Sequence, residues 1–176
     1  MIFGLAVVVG LIVGRLAGGS LDALSSTRLR LAPLAVLGLL VQLVLFTDPV
    51  ARVVGDAGPI IYTASTAAVF VAVLANLRLI GLPIVALGGA LNLAAIVANG
   101  GFMPADPGAL VAAGMSPAEA YSNSAVVADP ALRPLTDVYA IPASLPLANV
   151  FSAGDVLIAV GVGVAVAGAM RGPRSA

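Results

Sequence analysis

The chain has 176 residues, no net charge, and 9% charged side chains against 61% hydrophobic ones. A typical soluble domain is about 25% charged, so this composition fits a chain whose exterior is solvated by lipid rather than water. It contains no His, Cys or Lys, which excludes disulfides, thiolate nucleophiles, Ser-His catalysis, haem held by axial His, lysine Schiff bases and P-loops.

Read in chain order, five apolar stretches approach the roughly 20 residues that a bilayer core requires of a helix. They are Ile2–Leu16, Leu31–Thr47, Pro59–Leu77, Leu79–Ala98 and Gly154–Met170. The first lacks a basic leader, and Arg15 follows its apolar run, so it reads as a retained helix rather than a cleaved signal. Gly19–Arg30 and Asp48–Gly58 read as connections. A short joint at Arg78 makes the third and fourth helices an antiparallel hairpin. Residues 99–153 are too proline-rich for a span and form one long loop before the last helix. The expected fold is thus all-α: a single integral membrane domain over residues 1–176, a polytopic bundle of about five transmembrane helices.

Charge gives this bundle a direction. Arg15, Arg28, Arg30, Arg78, Arg171 and Arg174 fall on one side, and only Arg52 and Arg133 on the other. The positive-inside rule makes the arginine side cytoplasmic, with the amino terminus outside and the carboxyl terminus inside. Every acidic residue except Asp22 is then extracytoplasmic. Small residues spaced by four (Gly10, Gly14 and Gly18; Ala64, Ala68 and Ala72; Ala86, Ala90, Ala94 and Ala98) allow close helix approach. Gln42, Thr63, Ser65, Thr66, Asn76 and Asn92 read as hydrogen-bonding groups between helices.

Within the loop, Asn99-Gly100-Gly101-Phe102-Met103-Pro104 has the chemistry of a helix stop. The alternative is a tight turn that places Asn99 and open N–H groups beside a site. Pro107–Met115 fits an amphipathic turn on the membrane interface. Ser116-Pro117-Ala118-Glu119 is a capping box, which predicts a short helix over Pro117–Asn123.

Eight carboxylates, three tyrosines and water are left for acid–base work. Asp137 and Asp155 stand out, 18 positions apart (155 minus 137), with Asp155 at the mouth of the last apolar helix. Two carboxylates within a few ångströms keep one proton between them, so one can accept a proton from water while the other donates to a carbonyl oxygen. Asp155 also has a purely structural reading, because Ser152-Ala153-Gly154-Asp155 is a capping box in its own right.

Phe151-Ser152-Ala153-Gly154-Asp155 with Ile158 resembles the F-N-x-A-D-x-x-I signature of the lipoprotein signal peptidase family, and Leu135-Thr136-Asp137 stands where that family has V-V-D. Gly88-Gly89-Ala90-Leu91-Asn92 is similar to its G-G-A-L-G-N. The resemblance implies an extracytoplasmic catalytic pair at Asp137 and Asp155. The signature Asn is replaced by Ser152, and the Asp-Arg after G-G-A-L-G-N is absent. Over more of its length the chain resembles an uncharacterised family of small bacterial multi-pass membrane proteins. Leu91–Pro104 follow that family's L-N-x-x-x-I-x-x-N-G-G-x-M-P, and Asp137–Asp155 its D…N-V-F-S-x-G-D.

Two functions follow as expectations. One is a membrane hydrolase using Asp137 and Asp155, with Asn99, Gly100, Gly101, Asn123, Asn149 and Ser152 binding or positioning substrate. The other is a non-enzymatic accessory subunit or binding module of a larger membrane complex. Neither calls for a cofactor or metal. The expected partners are membrane lipid and a lipid-linked substrate or other membrane subunits, with no nucleic acid. The expected location is the bacterial cytoplasmic membrane. A transporter ranks below both, since no apolar span carries a charge at depth.

Overall fold

The computed structural model describes residues 2–116 and 124–172. The chain runs α1 (Ile2–Leu16), α2 (Leu21–Ser26), α3 (Ala32–Leu45), α4 (Asp48–Val54), a 3-10 turn at Gly55–Ala57, α5 (Gly58–Leu74) and α6 (Leu82–Ala98). There follow β1 (Met103–Pro104), α7 (Pro107–Ala112), β2 (Ser124–Ala125), a 3-10 turn at Arg133–Leu135, β3 (Tyr139–Ile141), β4 (Asn149–Phe151) and α8 (Ala153–Ala169).

The protein is mostly helical, and its five long helices begin and end within three residues of the expected apolar stretches. Proline opens α3, α4, α5, α6 and α7, where its missing N–H costs nothing and its fixed φ suits the first turn. Two expectations need correction. Both expected connections are partly helical: Ser20 caps α2 within Gly19–Arg30, and Pro49 opens α4 within Asp48–Gly58. The fold is also not purely α: β1 pairs in parallel with β2, and β3 pairs antiparallel with β4, Tyr139 opposite Phe151. The rings of Tyr139 and Phe151 stack at 5.6 Å and hold that register. The expected helix over Pro117–Asn123 lies outside the described residues.

Among the described helices, one is by itself long and apolar enough to cross a membrane: the run Pro49–Leu74, of 26 residues. The other four apolar helices have 14 to 17 residues.

The long helices pack in a row, α1–α8–α6–α5–α3. Glycine sets the two tightest contacts. α1 runs parallel to α8, with Gly10 against Gly163 and Gly14 against Ala167 and Met170. α6 runs antiparallel to α8, with Gly81 against Gly161 and Gly88 against Gly154. A Cβ at Gly161 would lie 2.7 Å from the Val85 backbone nitrogen, so this seam needs bare backbone. Its glycines are spaced by seven (81 and 88, 154 and 161), two helical turns. The four-residue alanine stripe does not make it, because Ala94 and Ala98 face outward. Gly18 is likewise no seam residue; it takes a positive φ of 82° in the turn after α1.

Polar side chains tie the row together at both ends. Gln42 Nε2 donates to Thr66 Oγ1 at 3.3 Å between α3 and α5. Asn76 accepts from the Arg30 backbone N–H at 2.8 Å and donates to the Arg30 carbonyl at 2.7 Å. A backbone bond adds to them: the Ser20 N–H donates to the Met170 carbonyl at 2.8 Å. The hydroxyls of Thr63 and Ser65 instead bond the Pro59 and Tyr62 carbonyls of their own helix.

One buried cluster (Leu45, Tyr62, Ala95, Ile96 and Met103) closes the loop-side end of α3, α5 and α6. A second (Ala105, Ala109, Leu110, Ala113 and Val150) packs α7 onto the β3–β4 hairpin. Elsewhere the helices leave large apolar side chains uncovered. Leu5, Val8 and Ile12 of α1 and Leu37, Leu40 and Leu43 of α3 are all exposed, Leu43 at 69%.

Candidate functional site

The site forms where α8 begins against the loop-side half of α6. Ser152 stands in extended conformation just before α8, and its Oγ accepts the Asp155 backbone N–H at 3.0 Å. Asp155 Oδ2 accepts the Ser152 backbone N–H in return, also at 3.0 Å. This is the capping box read from the sequence; it satisfies two helix-end donors and sets a carboxylate against the positive end of the helix dipole.

Asn92, one helix away, extends the box. Its Nδ2 donates to Asp155 Oδ1 at 2.8 Å, and its Oδ1 accepts the Ser152 hydroxyl at 2.8 Å. Ser152 is fully buried, while Asn92 and Asp155 are half-buried. Each Asp155 oxygen therefore accepts one bond, and the carboxylate is held in one orientation from two elements. Bare backbone makes this possible: a Cβ at Gly154 would run into the Asn92 carboxamide and lie 2.8 Å from the Gly88 carbonyl oxygen.

Asp137 reaches the same end by another route. The 3-10 turn at Arg133–Leu135 leans on both α6 and α8, and Asp137 follows two residues later. Its backbone N–H donates to the Pro104 carbonyl at 2.9 Å, and its carbonyl accepts the Asp106 N–H at 3.0 Å. Residues 104–106 thus lie beside it as a parallel bridge to Ala105. The Asp137 residue is buried, 5% exposed, next to Thr136 at 1%.

The remaining expected site residues divide. Asn99 clamps the loop: its Nδ2 donates to the Ala131 carbonyl at 2.9 Å, its Oδ1 accepts the Ala131 N–H at 2.9 Å, and Nδ2 also reaches the Ala95 carbonyl at 2.8 Å. Gly100 and Gly101 take positive φ of 70° and 91°, and the Gly101 N–H returns to the Ile96 carbonyl at 2.9 Å, the geometry of a helix stop. Gly101 also lies against the Pro59 backbone, too close for any side chain. Asn149 lies in β4 opposite Ile141, half-buried. Asn123 falls outside the described residues. The structure thus joins Ser152 to Asp155 directly and gives Asn99, Gly100 and Gly101 a role in closing α6.

Two participants were missed as site residues. Asn92 read only as interhelical glue; its signal is a carboxamide one turn after Gly88 on the face that meets α8. Asp106 caps α7 through the Gly108 and Ala109 N–H groups at 2.9 and 3.1 Å and pairs with Arg133 at 3.1 Å. The Ala109 N–H, the Arg133 guanidinium and the Gly108 N–H hold its carboxyl below the usual carboxylate range, against the opposing effect of partial desolvation. Asp106-Pro107, a cap followed by proline at the first helical position, was the readable signal. Among the described residues, no three acidic side chains gather as a metal-binding group.

Together these features define a predominantly helical protein whose last helix carries in its first turn an aspartate clamped by Ser152 and Asn92, under a mixed loop carrying a buried aspartate. The chain belongs to a family of unknown function, DUF5317, which matches residues 26–167. That match contains α3 through α6, the loop and nearly all of α8. No curated protein and no solved structure matches the chain.

Proposed function

We propose that the chain is a multi-pass protein of the bacterial cytoplasmic membrane, crossing it five times with the amino terminus outside. The support is physical. Apolar side chains along α1 and α3 are uncovered over most of their length, which water penalises and lipid does not. Arg15, Arg28, Arg30, Arg78 and Arg171 belong to the end of the row where Ser20 meets Met170 and Arg30 meets Asn76; Asp106, Asp129, Asp137 and Asp155 belong to the other. Helices of 14 to 17 residues measure about 21–26 Å, somewhat short of a ~30 Å core. Flanking turns, snorkelling arginines and local thinning make up the difference.

At the extracytoplasmic end, Asp137 and Asp155 form a hydrolytic pair resembling that of the lipoprotein signal peptidases, acting on a lipid-linked substrate. One carboxylate takes a proton from water, whose oxygen attacks the scissile carbonyl carbon; the other protonates the carbonyl oxygen, and the proton later passes to the leaving group. Asn92 and Ser152 are positioning residues for Asp155. The observation that carries this reading is the second clamp on Asp155. The capping box asks of the Asp155 carboxylate only the bond from the Ser152 N–H, whereas the Asn92 bond fixes its direction from a different helix.

A second reading rests on its own observation. α1 and α3 end the row, and their outer faces are apolar, as in a non-enzymatic subunit that docks against other membrane helices. One experiment separates the two. Cells lacking the chain are complemented with wild type, Asp137→Asn or Asp155→Asn at matched abundance, and new amino termini of membrane-anchored proteins are mapped by mass spectrometry. The hydrolase reading expects a set of termini that appears with wild type and disappears with both variants. Wild-type termini in either variant would sink it, and identical termini in wild-type and deleted cells would favour the subunit.

A further inference from the structure

The arginine-rich end carries a groove that the aspartate site does not explain. It opens between the α2 connection, the turn before α6 and the last turns of α8, with a volume of about 610 Å³. Leu24, Leu29, Leu79 and Ile80 make its walls, and Ala165 and Gly168 of α8 its floor. Arg28 and Arg78 line it as well. Both are exposed, and neither guanidinium has an ion pair or hydrogen bond among the described residues. By contrast, Arg15 bonds the Gly19 carbonyl and Arg133 bonds Asp106.

A second apolar groove of about 560 Å³ runs along α1 and α8 and shares Ile80 and Gly168 with the first. Ile80 lies directly on Gly168, where a side chain on α8 would collide with it. Two apolar troughs thus meet at one ridge, with Arg28 and Arg78 lining the first and Arg171 the second. A free anion would use only the guanidiniums and leave the troughs empty. A two-chain lipid uses all three features, and basic pockets between helices on the cytoplasmic side suit anionic head groups.

We propose that this end holds one anionic phospholipid of the inner leaflet, its phosphate on Arg28 and Arg78 and its acyl chains on either side of Ile80. This inference rests on the membrane-spanning part of the reading above and is independent of the aspartate pair.

The test uses the full chain purified in detergent, with lipid retention read by native mass spectrometry. The probes are phosphatidylglycerol, phosphatidylcholine and soluble glycerol 3-phosphate. Wild type should keep one phosphatidylglycerol per chain and discriminate against phosphatidylcholine by about tenfold or more. Arg28→Gln with Arg78→Gln should weaken phosphatidylglycerol retention roughly 25-fold, about fivefold for each guanidinium. Arg28→Lys with Arg78→Lys should retain an intermediate affinity, and it decides the matter if the Gln pair fails to fold. Equal retention of the two phospholipids, or undiminished phosphatidylglycerol on the Gln pair, would overturn the proposal. So would glycerol 3-phosphate binding as tightly as the lipid, which would mark a plain phosphate site. Release of the chain from membranes by alkaline carbonate would instead overturn the membrane reading itself.

Discussion

Replacing Gly154 by alanine should open the seam between α6 and α8. The added methyl runs into the Asn92 carboxamide, and it would lie 2.7 Å from Asn92 Cγ and 2.8 Å from the Gly88 carbonyl oxygen. Neither neighbour yields easily: Asn92 is fastened to Ser152 and Asp155, and Gly88 is in mid-helix. Overpacking of this kind costs roughly 1–3 kcal/mol, and losing the two Asn92 bonds adds about 2 kcal/mol. The helix propensity gained on leaving glycine returns roughly 0.5–1 kcal/mol, so the net loss is about 2–4 kcal/mol. That is a large share of the ~5–15 kcal/mol that holds most domains together. Unfolding of the purified chain by SDS, followed by far-ultraviolet circular dichroism, measures it. Gly4→Ala is the control: nothing lies within 4 Å of its Cβ position, and it should be neutral or stabilising by up to about 1 kcal/mol. Asn92→Ala removes one obstacle, so the double variant should lose less than the sum of the two singles. Gly154→Ala as stable as Gly4→Ala, or strict additivity with Asn92→Ala, would refute this account of the seam.

Two further outcomes follow from the loop. Asn99→Ala removes both bonds to Ala131 and should cost about 1–2 kcal/mol, seen as faster amide exchange around residue 131 with α6 itself still protected. Asp106 has a lowered carboxyl pKa in the folded protein. Its contribution is therefore present above the unfolded carboxylate pKa of about 4 and is lost as pH falls through the lower folded value. Amide protection of α7 should hold at about pH 5 and decline below about pH 4, and Asp106→Asn should remove that dependence.

The positions of the five long helices were legible because apolar runs of that length allow few alternatives. Their partners were harder to read. Spacing four found Gly10 and Gly14, which do meet α8, but the α6–α8 glycines recur every seven residues, and on α6 spacing four selects Ala94 and Ala98, which face outward. The α4 segment was misread because Pro49, Gly55 and Gly58 carry turn chemistry, although proline equally opens a helix. Pro142 and Pro146 hid the β3–β4 hairpin; both fall in its connection, where a missing N–H does no harm. At the candidate site, Ser152 and Asp155 were legible as a local motif three residues apart. Asn92 lies 60 residues from Ser152 and 63 from Asp155, and only the antiparallel register of α6 on α8 brings it there. Asn99 was legible as part of the helix stop but not as a clamp on the loop, because its partner there is the backbone of Ala131, which has no side-chain signature.

The proposed hydrolysis requires Asp137 and Asp155 to share one site, and the absence of native cysteine makes that directly measurable. Cysteines placed at both positions, treated in membranes with a short bis-methanethiosulfonate, report their proximity as an intramolecular cross-link. The shared site predicts efficient cross-linking of the 137/155 pair, with little for a control pair at 129 and 155. Two cysteines that each react singly, yet never link to one another, would contradict it.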